Sequence, residues 1–205
     1  MKYVSWVEKN RPNNLNEICY QEDVKSGLKN FVKNNNIPHL LFFGPSGSGK
    51  TSTIIALAKE MFGPYYKERI RELNASDERG INVVREKIKN FAQESINISQ
   101  TKIVNGKKTY LPPWKIIILD EADNMTSESQ YALRRIMEEY SKVTRFCIIC
   151  NYHHKIIDPI VSRCSLFRFK PIPNIQIKNQ LKYISKKEKF KISVSVINKI
   201  CDYAR

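Results

Sequence analysis

Gly44-Pro45-Ser46-Gly47-Ser48-Gly49-Lys50-Thr51 is the stretch on which the fold turns. Before it runs His39-Leu40-Leu41-Phe42-Phe43, apolar and of strand length. After it, from Ser52 to Phe62, apolar residues recur at helical spacing. A strand, a glycine-rich loop and a helix in that order make G-x-x-x-x-G-K-[ST] a phosphate-binding loop. The glycines let backbone N–H groups turn inward around phosphate oxygens, and the helix N-terminus adds its positive end. Lys50 supplies a point charge to the β- and γ-phosphates, and the Thr51 hydroxyl can ligate Mg²⁺. A glycine-rich turn with a chance Lys-Thr would lack these flanks. The stretch, with Ser52 after it, implies a nucleoside triphosphate site.

The second half of such a site is legible downstream. Lys115-Ile116-Ile117-Ile118-Leu119-Asp120-Glu121-Ala122-Asp123 is an apolar run ending in acids. It describes a buried central strand that delivers carboxylates to the carboxyl edge of an open α/β sheet, where ligands sit. Asp120 is expected to hold Mg²⁺ or its water, and Glu121 to polarise the attacking water. A solvated acidic turn is the bland alternative, and the upstream phosphate loop disfavours it. Thr144 to Cys150 reads as another buried strand ending at Asn151, an amide able to orient water or meet a γ-phosphate, or simply a turn-former.

The remaining elements fall around this pair. Residues 3–18 are expected to be mostly an extended arm, because Pro12 disfavours helix at Arg11. Gln21 to Asn34 has helical periodicity, and Arg71 to Asn74 looks like a short strand. Asp77 and Glu78 suit the N-terminal end of a second long helix, whose apolar face is Ile81, Val84, Ile88 and Phe91. Asn82, Arg85 and Lys89 form a polar stripe on another face, taken alone a solvated surface. Residues 101–110 resemble a projecting, mobile hairpin with Asn105-Gly106 as its turn. Met125-Thr126-Ser127 opens a helix to Tyr140, and Ser165 to Phe169 is the last strand. Lys170-Pro171-Ile172-Pro173 is the clear boundary, dividing an ATPase domain (1–170) from an incomplete helical lid (171–205) too short for its own core.

Composition narrows the class. No stretch approaches the ~20 apolar residues of a membrane span, and the N-terminus lacks the regions of a signal peptide, so an intracellular protein without membrane partners is expected. Cys147 and Cys150, three apart on a strand, point to opposite faces, which is poor geometry for shared metal ligation; buried, reduced thiols are the better reading. Net charge is +15 over 205 residues. That permits nucleic acid binding without requiring it.

With these residues assembled, the chain resembles the small subunits of replication factor C, sliding-clamp loaders of the AAA+ class, over nearly its whole length. The resemblance is carried by Trp6-Val7-Glu8-Lys9-Asn10-Arg11-Pro12, the loop at 44–51, Leu73-Asn74-Ala75-Ser76-Asp77-Glu78-Arg79-Gly80 and Leu119-Asp120-Glu121-Ala122-Asp123. It is carried also by Ala132-Leu133-Arg134-Arg135-Ile136-Met137-Glu138, Asn151 and Ser162-Arg163-Cys164. It implies an α/β AAA+ fold with a five-stranded parallel sheet in the order 5-1-4-3-2 and a small helical lid. It also implies ATP/ADP and Mg²⁺ as cofactors and DNA-stimulated ATP hydrolysis in a nuclear hetero-pentamer. Its partners would be the other loader subunits, a sliding clamp and primer–template DNA.

The resemblance further implies roles. Val7, Arg11 and Pro12 match a box that closes over adenine, and Asn151 matches the first sensor. Asn74 matches a switch that holds the catalytic glutamate, here Glu121, away from water. Arg163 matches an arginine finger acting on the neighbouring subunit's ATP, with Arg134 as a second arginine there. The helices starting near Arg79 and Thr126 would line the ring's interior, raising Arg79, Arg85 and Lys89 to a phosphate-contact row on DNA. Asn10 stands where the family usually has Tyr, Ser46 and Ser48 replace Pro and Thr, and the Gly-Asp-x-Arg second sensor is expected beyond Arg205. A DEAD-box helicase would need a Ser-Ala-Thr motif after the acidic box, and a non-hydrolysing scaffold subunit would show a degraded loop or acidic box.

Overall fold

The computed structural model describes residues 5–75, 81–94, 100–104 and 107–203 (side chains at 81–85, 104 and 107 excepted), and its strands are β1 (His39–Phe43), β2 (Ile70–Asn74), β3 (Thr101–Val104), β4 (Lys107–Tyr110), β5 (Lys115–Asp120), β6 (Thr144–Cys150) and β7 (Cys164–Arg168). The apolar runs become β1, β5 and β6, the central strands, buried on both faces. Five of the strands form one parallel sheet in the order β2-β5-β6-β1-β7. Numbered by sheet strand alone, that is the expected 5-1-4-3-2. The helices are α1 (Trp6–Lys9), α2 (Glu22–Lys33), α3 (Lys50–Phe62), α4 (Tyr66–Arg69), α5 (Ile81–Gln93), α6 (Ser127–Tyr140), α7 (Asp158–Val161), α8 (Asn174–Lys187) and α9 (Val194–Tyr203).

Strand parity decides which core each residue enters, since successive side chains alternate across a sheet. Leu40, Phe42, Ile116, Ile118, Cys147 and Ile149 pack under α2 and α3, with Leu28, Ile54, Leu57 and Met61. Leu41, Ile117, Leu119, Phe146, Ile148 and Cys150 pack under α5, α6 and α7, with Phe91, Leu133, Met137 and Ile160. Cys147 and Cys150 thus enter opposite cores, as expected from their spacing. Burial pushes the Cys147 thiol well above its usual value and that of Cys150 up to about 12. Among the described residues no group of His, Cys, Asp and Glu is arranged to hold a metal by itself, and no helix is long and apolar enough to cross a membrane.

Two expectations need correcting. The arm before Leu15 is not simply extended: Ser5 Oγ accepts from Glu8 N and caps α1, and Trp6 stacks on Phe190 with ring centroids 5.1 Å apart. That tertiary partner supplies what four residues of helix lack by themselves. Pro12 still matters, because the helix stops at Lys9. The last strand is Cys164–Arg168, one residue earlier than expected. The ribbon β3–β4 is antiparallel as expected, but its base is tied down, with Lys102 Nζ donating to Glu60 O at 2.7 Å; its turn, Asn105-Gly106, lies outside the described residues.

Two predictions arise here. Gly44 has φ +144°, and a Cβ on it would lie 2.3 Å from Phe169 O, the carbonyl of the segment that closes the sheet through Phe169 N to Phe43 O. G44A should lower the stability by at least 1–3 kcal/mol from backbone strain alone; an unchanged urea midpoint would contradict it. His39, half-buried at the head of β1, accepts at Nδ1 from Phe146 N at 3.1 Å. Burial, then the Arg145 charge, pushes its pKa down to about 4. The unfolded chain therefore takes up a proton near pH 6.5 while the folded chain does not. Stability should fall as pH drops from about 6.5 to about 4. H39Q should lose less stability than wild type across that window; parallel curves would show that His39 is not responsible.

Candidate active site

The carboxyl ends of the parallel strands bring together residues far apart in sequence. The phosphate loop follows β1, Asn74 ends β2, Asp120 ends β5 and Asn151 follows β6. A cleft of about 320 Å³ lies between them, bounded by Gly47, Lys50, Thr51, Asp120, Glu121 and Asn151. Gly49 sits in the left-handed region at φ +94°, and that bend aims the start of α3 into the cleft.

Lys50 reaches back across the loop. Its Nζ donates to Gly44 O at 2.8 Å, Pro45 O at 2.9 Å and Asn151 Oδ1 at 3.0 Å, which uses all three ammonium donors. Burial lowers its pKa, and the nearby Asp120, Cys150 and Asp123 work against that shift. Asn151 is therefore tied to the loop lysine rather than being only a turn residue. Thr51 Oγ1 donates to Asp120 Oδ2 at 2.6 Å. Two hard oxygen ligands meeting at the cleft floor fit a Mg²⁺ ion that keeps several waters. Asp120 Oδ1 also accepts from Glu121 N at 2.9 Å. Glu121 has φ +54°, a conformation uncommon for a non-glycine residue; it turns the chain sharply, and Glu121 Oε2 accepts from Asn124 Nδ2 at 3.3 Å. Asn74 pairs in register with Asp120, and Ala75 N donates to Asp120 O, so the switch candidate and the acidic pair are neighbours on adjoining strands.

A second cleft of about 540 Å³ opens from Ser46 and Gly47 toward the segment after β7, walled by Ile172, Pro173, Asn174, Ile177 and Cys201. Its mixed lining, apolar at Ile172 and Ile177 and polar at Asn174, next to a phosphate cleft suits a nucleobase. Sequence reasoning missed these residues, whose only signal was a proline-rich boundary. Val7, Arg11 and Pro12 line neither cleft; Val7 is exposed, and Arg11 Nε lies 3.1 Å from Glu8 Oε1. The arm that carries them is fastened to the turn after α8, with Lys9 Nζ on Glu188 Oε2 at 2.5 Å and Asn10 Nδ2 on Glu188 Oε1 at 3.4 Å. Asn10 thus makes a polar contact where the resembled family has an aromatic ring.

Two further residues were missed. Asp123 Oδ2 accepts from Asn151 N and Tyr152 N at 3.3 Å each, joining the acidic turn to the end of β6. Gln130 is buried, donating to Lys155 O and Met125 O while accepting from Ile157 N; nothing in a mid-helix Gln announces this. The row expected to meet DNA falls only partly within the described residues. Arg79 lies outside the described residues, as does the Arg85 side chain. Lys89 faces Tyr131 and Arg135 across a groove of about 280 Å³ between α5 and α6. The Thr126 hydroxyl caps α6 by accepting from Ser129 N at 3.2 Å, a structural use of that side chain.

Arg163 is not at this site. Cys164, next to it, is level with His39 at the amino end of β1, while the phosphate loop begins beyond the carboxyl end. The separation is five to six strand residues, ~17–20 Å. Arg163 instead meets Arg134, both donating to Glu138 Oε1.

Residues 20–173 match the sequence model of the family described as DNA polymerase III, delta subunit. The chain is 54% identical over 198 residues to replication factor C subunit 2 of Saccharomyces cerevisiae, covering 96% of this chain and 56% of that protein. It is 55% identical to subunit 4 of Homo sapiens, with 94% and 52% covered, and 50% identical to small subunit 1 of Pyrobaculum islandicum, with 98% and 57% covered. It spans about half the length of these curated relatives. In fold it matches a RuvB variant from Thermotoga maritima with a TM-score of 0.68 at 16% identity, covering 93% of this chain and 59% of that one, in keeping with the expected α/β fold and its five-stranded parallel sheet. By the family match, the chain belongs to the family described as DNA polymerase III, delta subunit, and over nearly all of its own residues it is similar to replication factor C small subunits.

Proposed function

We propose that this chain is the ATP-binding and ATP-hydrolysing part of a clamp-loader small subunit, one that helps open a sliding clamp and place it on primer–template DNA. The observation that carries this is the assembled cleft: Lys50 bonded to Asn151, and Thr51 bonded to Asp120, with Glu121 alongside. A subunit that had kept ATP only as structural glue would not need that constellation intact. Residues 1–170 serve as the ATPase domain and 171–205 as the beginning of the lid.

In this reading the loop N–H groups and Lys50 hold the β- and γ-phosphates, exchanging the Gly44 and Pro45 carbonyls for phosphate oxygens. Thr51 and Asp120 would hold Mg²⁺, and the bound ion would supply neutralisation of the phosphate charge. Glu121 accepts a proton from, or orients, the attacking water, and Asn151 fixes the position of Lys50 and the γ-phosphate. Asn74, on the strand beside Asp120, serves as the switch for Glu121. Arg163 and Arg134 face away and serve the ATP of the next subunit in a hetero-pentamer. The basic balance and the α5–α6 surface with Lys89, together with Arg79, Arg85 and Thr126, serve the DNA phosphates, whose arrival stimulates hydrolysis. In a eukaryotic cell the compartment is the nucleus.

The test is E121Q in the full-length subunit assembled with its partners. ATP binding should survive while DNA-stimulated turnover assigned to this site falls on the order of 10²–10⁴-fold, the range for a positioned acid–base group. Undiminished turnover would make the subunit a scaffold.

A further inference from the structure

Glu138 belongs to none of the roles assigned above, yet it joins two of the residues that carry them. It lies one turn after Arg134 on α6. Its Oε1 accepts from Arg134 Nε at 3.1 Å and from one terminal nitrogen of Arg163, while the other terminal nitrogen of Arg163 donates to Pro159 O at 2.6 Å. Two elements, α6 and the turn between α7 and β7, therefore converge on a single carboxylate oxygen. Two guanidinium groups that close would repel each other without an anion between them. The three side chains are 36–39% exposed, and ion pairs that open add little to folding stability. Stability is thus a weak reason for the cluster.

The geometry also distinguishes the two arginines. Arg134 is gripped through Nε, so its terminal nitrogens remain without a bonded partner among the described residues. Arg163 is gripped through both terminal nitrogens. The hydrogen bond from Arg134, followed by the charges of Arg134 and Arg163, holds the Glu138 carboxyl below its usual range against the opposing effect of burial, so it stays anionic at neutral pH.

We propose that Glu138 is the positioning residue for Arg134 and Arg163, presenting them as a pair to the triphosphate held by the neighbouring subunit. This deepens, and rests on, the reading that these arginines act in trans. Glu138 orients Arg134 with its free fork outward and keeps Arg163 extended beside it. An incoming phosphate oxygen then replaces the Glu138 oxygen on Arg163, one charge-assisted bond for another, so the exchange requires little reorganisation.

The experiment uses the full-length subunit in the assembled complex with clamp and primed DNA, carrying E121Q so that its own site is silent. R163A, E138A, E138Q, R134A/R163A and R134A/R163A/E138A are compared by kcat and KM for ATP, with thermal unfolding of each. E138A should lower the neighbour-dependent kcat about 10-fold, as misoriented groups do, with KM little changed. E138Q, whose amide oxygen still accepts, should recover part of that loss, and it carries the test if E138A fails to fold. On the R134A/R163A background, E138A should cost nothing further, because its effect passes through the arginines. An E138A kcat equal to wild type, or the same loss when both arginines are already absent, overturns the proposal. An R163A complex with full turnover instead overturns the in-trans reading beneath it, so the two failures appear in different variants.

Discussion

K50A is expected to lower ATP turnover at this site on the order of 10²–10³-fold, the scale for removing one preorganised charge donor from a developing negative charge. The physical case starts from the free protein. Lys50 is 7% exposed, its three donors are taken by two loop carbonyls and Asn151, and burial disfavours its charge. An ammonium in that position is poised: a phosphate oxygen offers a full negative charge in place of a carbonyl dipole, so the gain on binding is concentrated at Nζ. Alanine removes the charge and also leaves Gly44 O, Pro45 O and Asn151 Oδ1 without this partner. K50R should not restore activity, because a planar five-donor fork cannot reproduce three divergent bonds from one nitrogen. Titration with a fluorescent ATP analogue, alongside steady-state turnover, checks both. An unchanged Kd and rate in K50A would remove the phosphate loop from the mechanism.

R163A is expected to have the largest effect of all, ~10³–10⁵-fold on the turnover of the neighbour's site, the range for arginine fingers in phosphoryl transfer, with nucleotide binding at the subunit's own cleft unaltered. The separation of Arg163 from the phosphate loop, nearly the full length of the sheet, is what makes the sign of this prediction unusual: the mutated chain keeps its own ATP and the adjacent chain loses its catalysis. By the same argument the isolated chain should hydrolyse ATP slowly. Mixing subunits, with R163A in this one and E121Q introduced in turn at each other position, locates the affected site. If R163A weakened only its own subunit's ATP binding, the arginine would be acting in cis or holding the fold.

Much of this molecule was legible in one dimension. Phosphate loops, acidic strand ends and apolar runs are local patterns, and each has a physical reason to be local. Gly49 and Lys50 must be adjacent for the loop to open a helix toward phosphate. Ile116 to Leu119 must be apolar throughout, because a central parallel strand is covered on both faces. Even the divergence of Cys147 and Cys150 into separate cores follows from strand parity. The sheet order came from the resemblance, and the structure reproduces it.

What only the tertiary structure decided are the pairings between distant segments. The arm reads as extended because Pro12 and a short apolar run say nothing of Phe190 or Glu188, residues about 180 positions away whose contacts make a four-residue helix worth forming. The second cleft beside Gly47 draws on α8 and α9, helices that the sequence marks only as a lid, with no residue of theirs singled out. Asp123 and Gln130 look like an ordinary acid and an ordinary mid-helix amide until the end of β6 and the loop after it come to rest on them. Glu138 is one charge among many on α6 until Arg163 folds back beside it. Spacing along the chain encodes which face a side chain occupies. It does not encode which distant backbone group will need that side chain's hydrogen bonds; here such bonds fix Asp123 to the end of β6, and a carboxylate on α6 holds Arg163 beside Arg134.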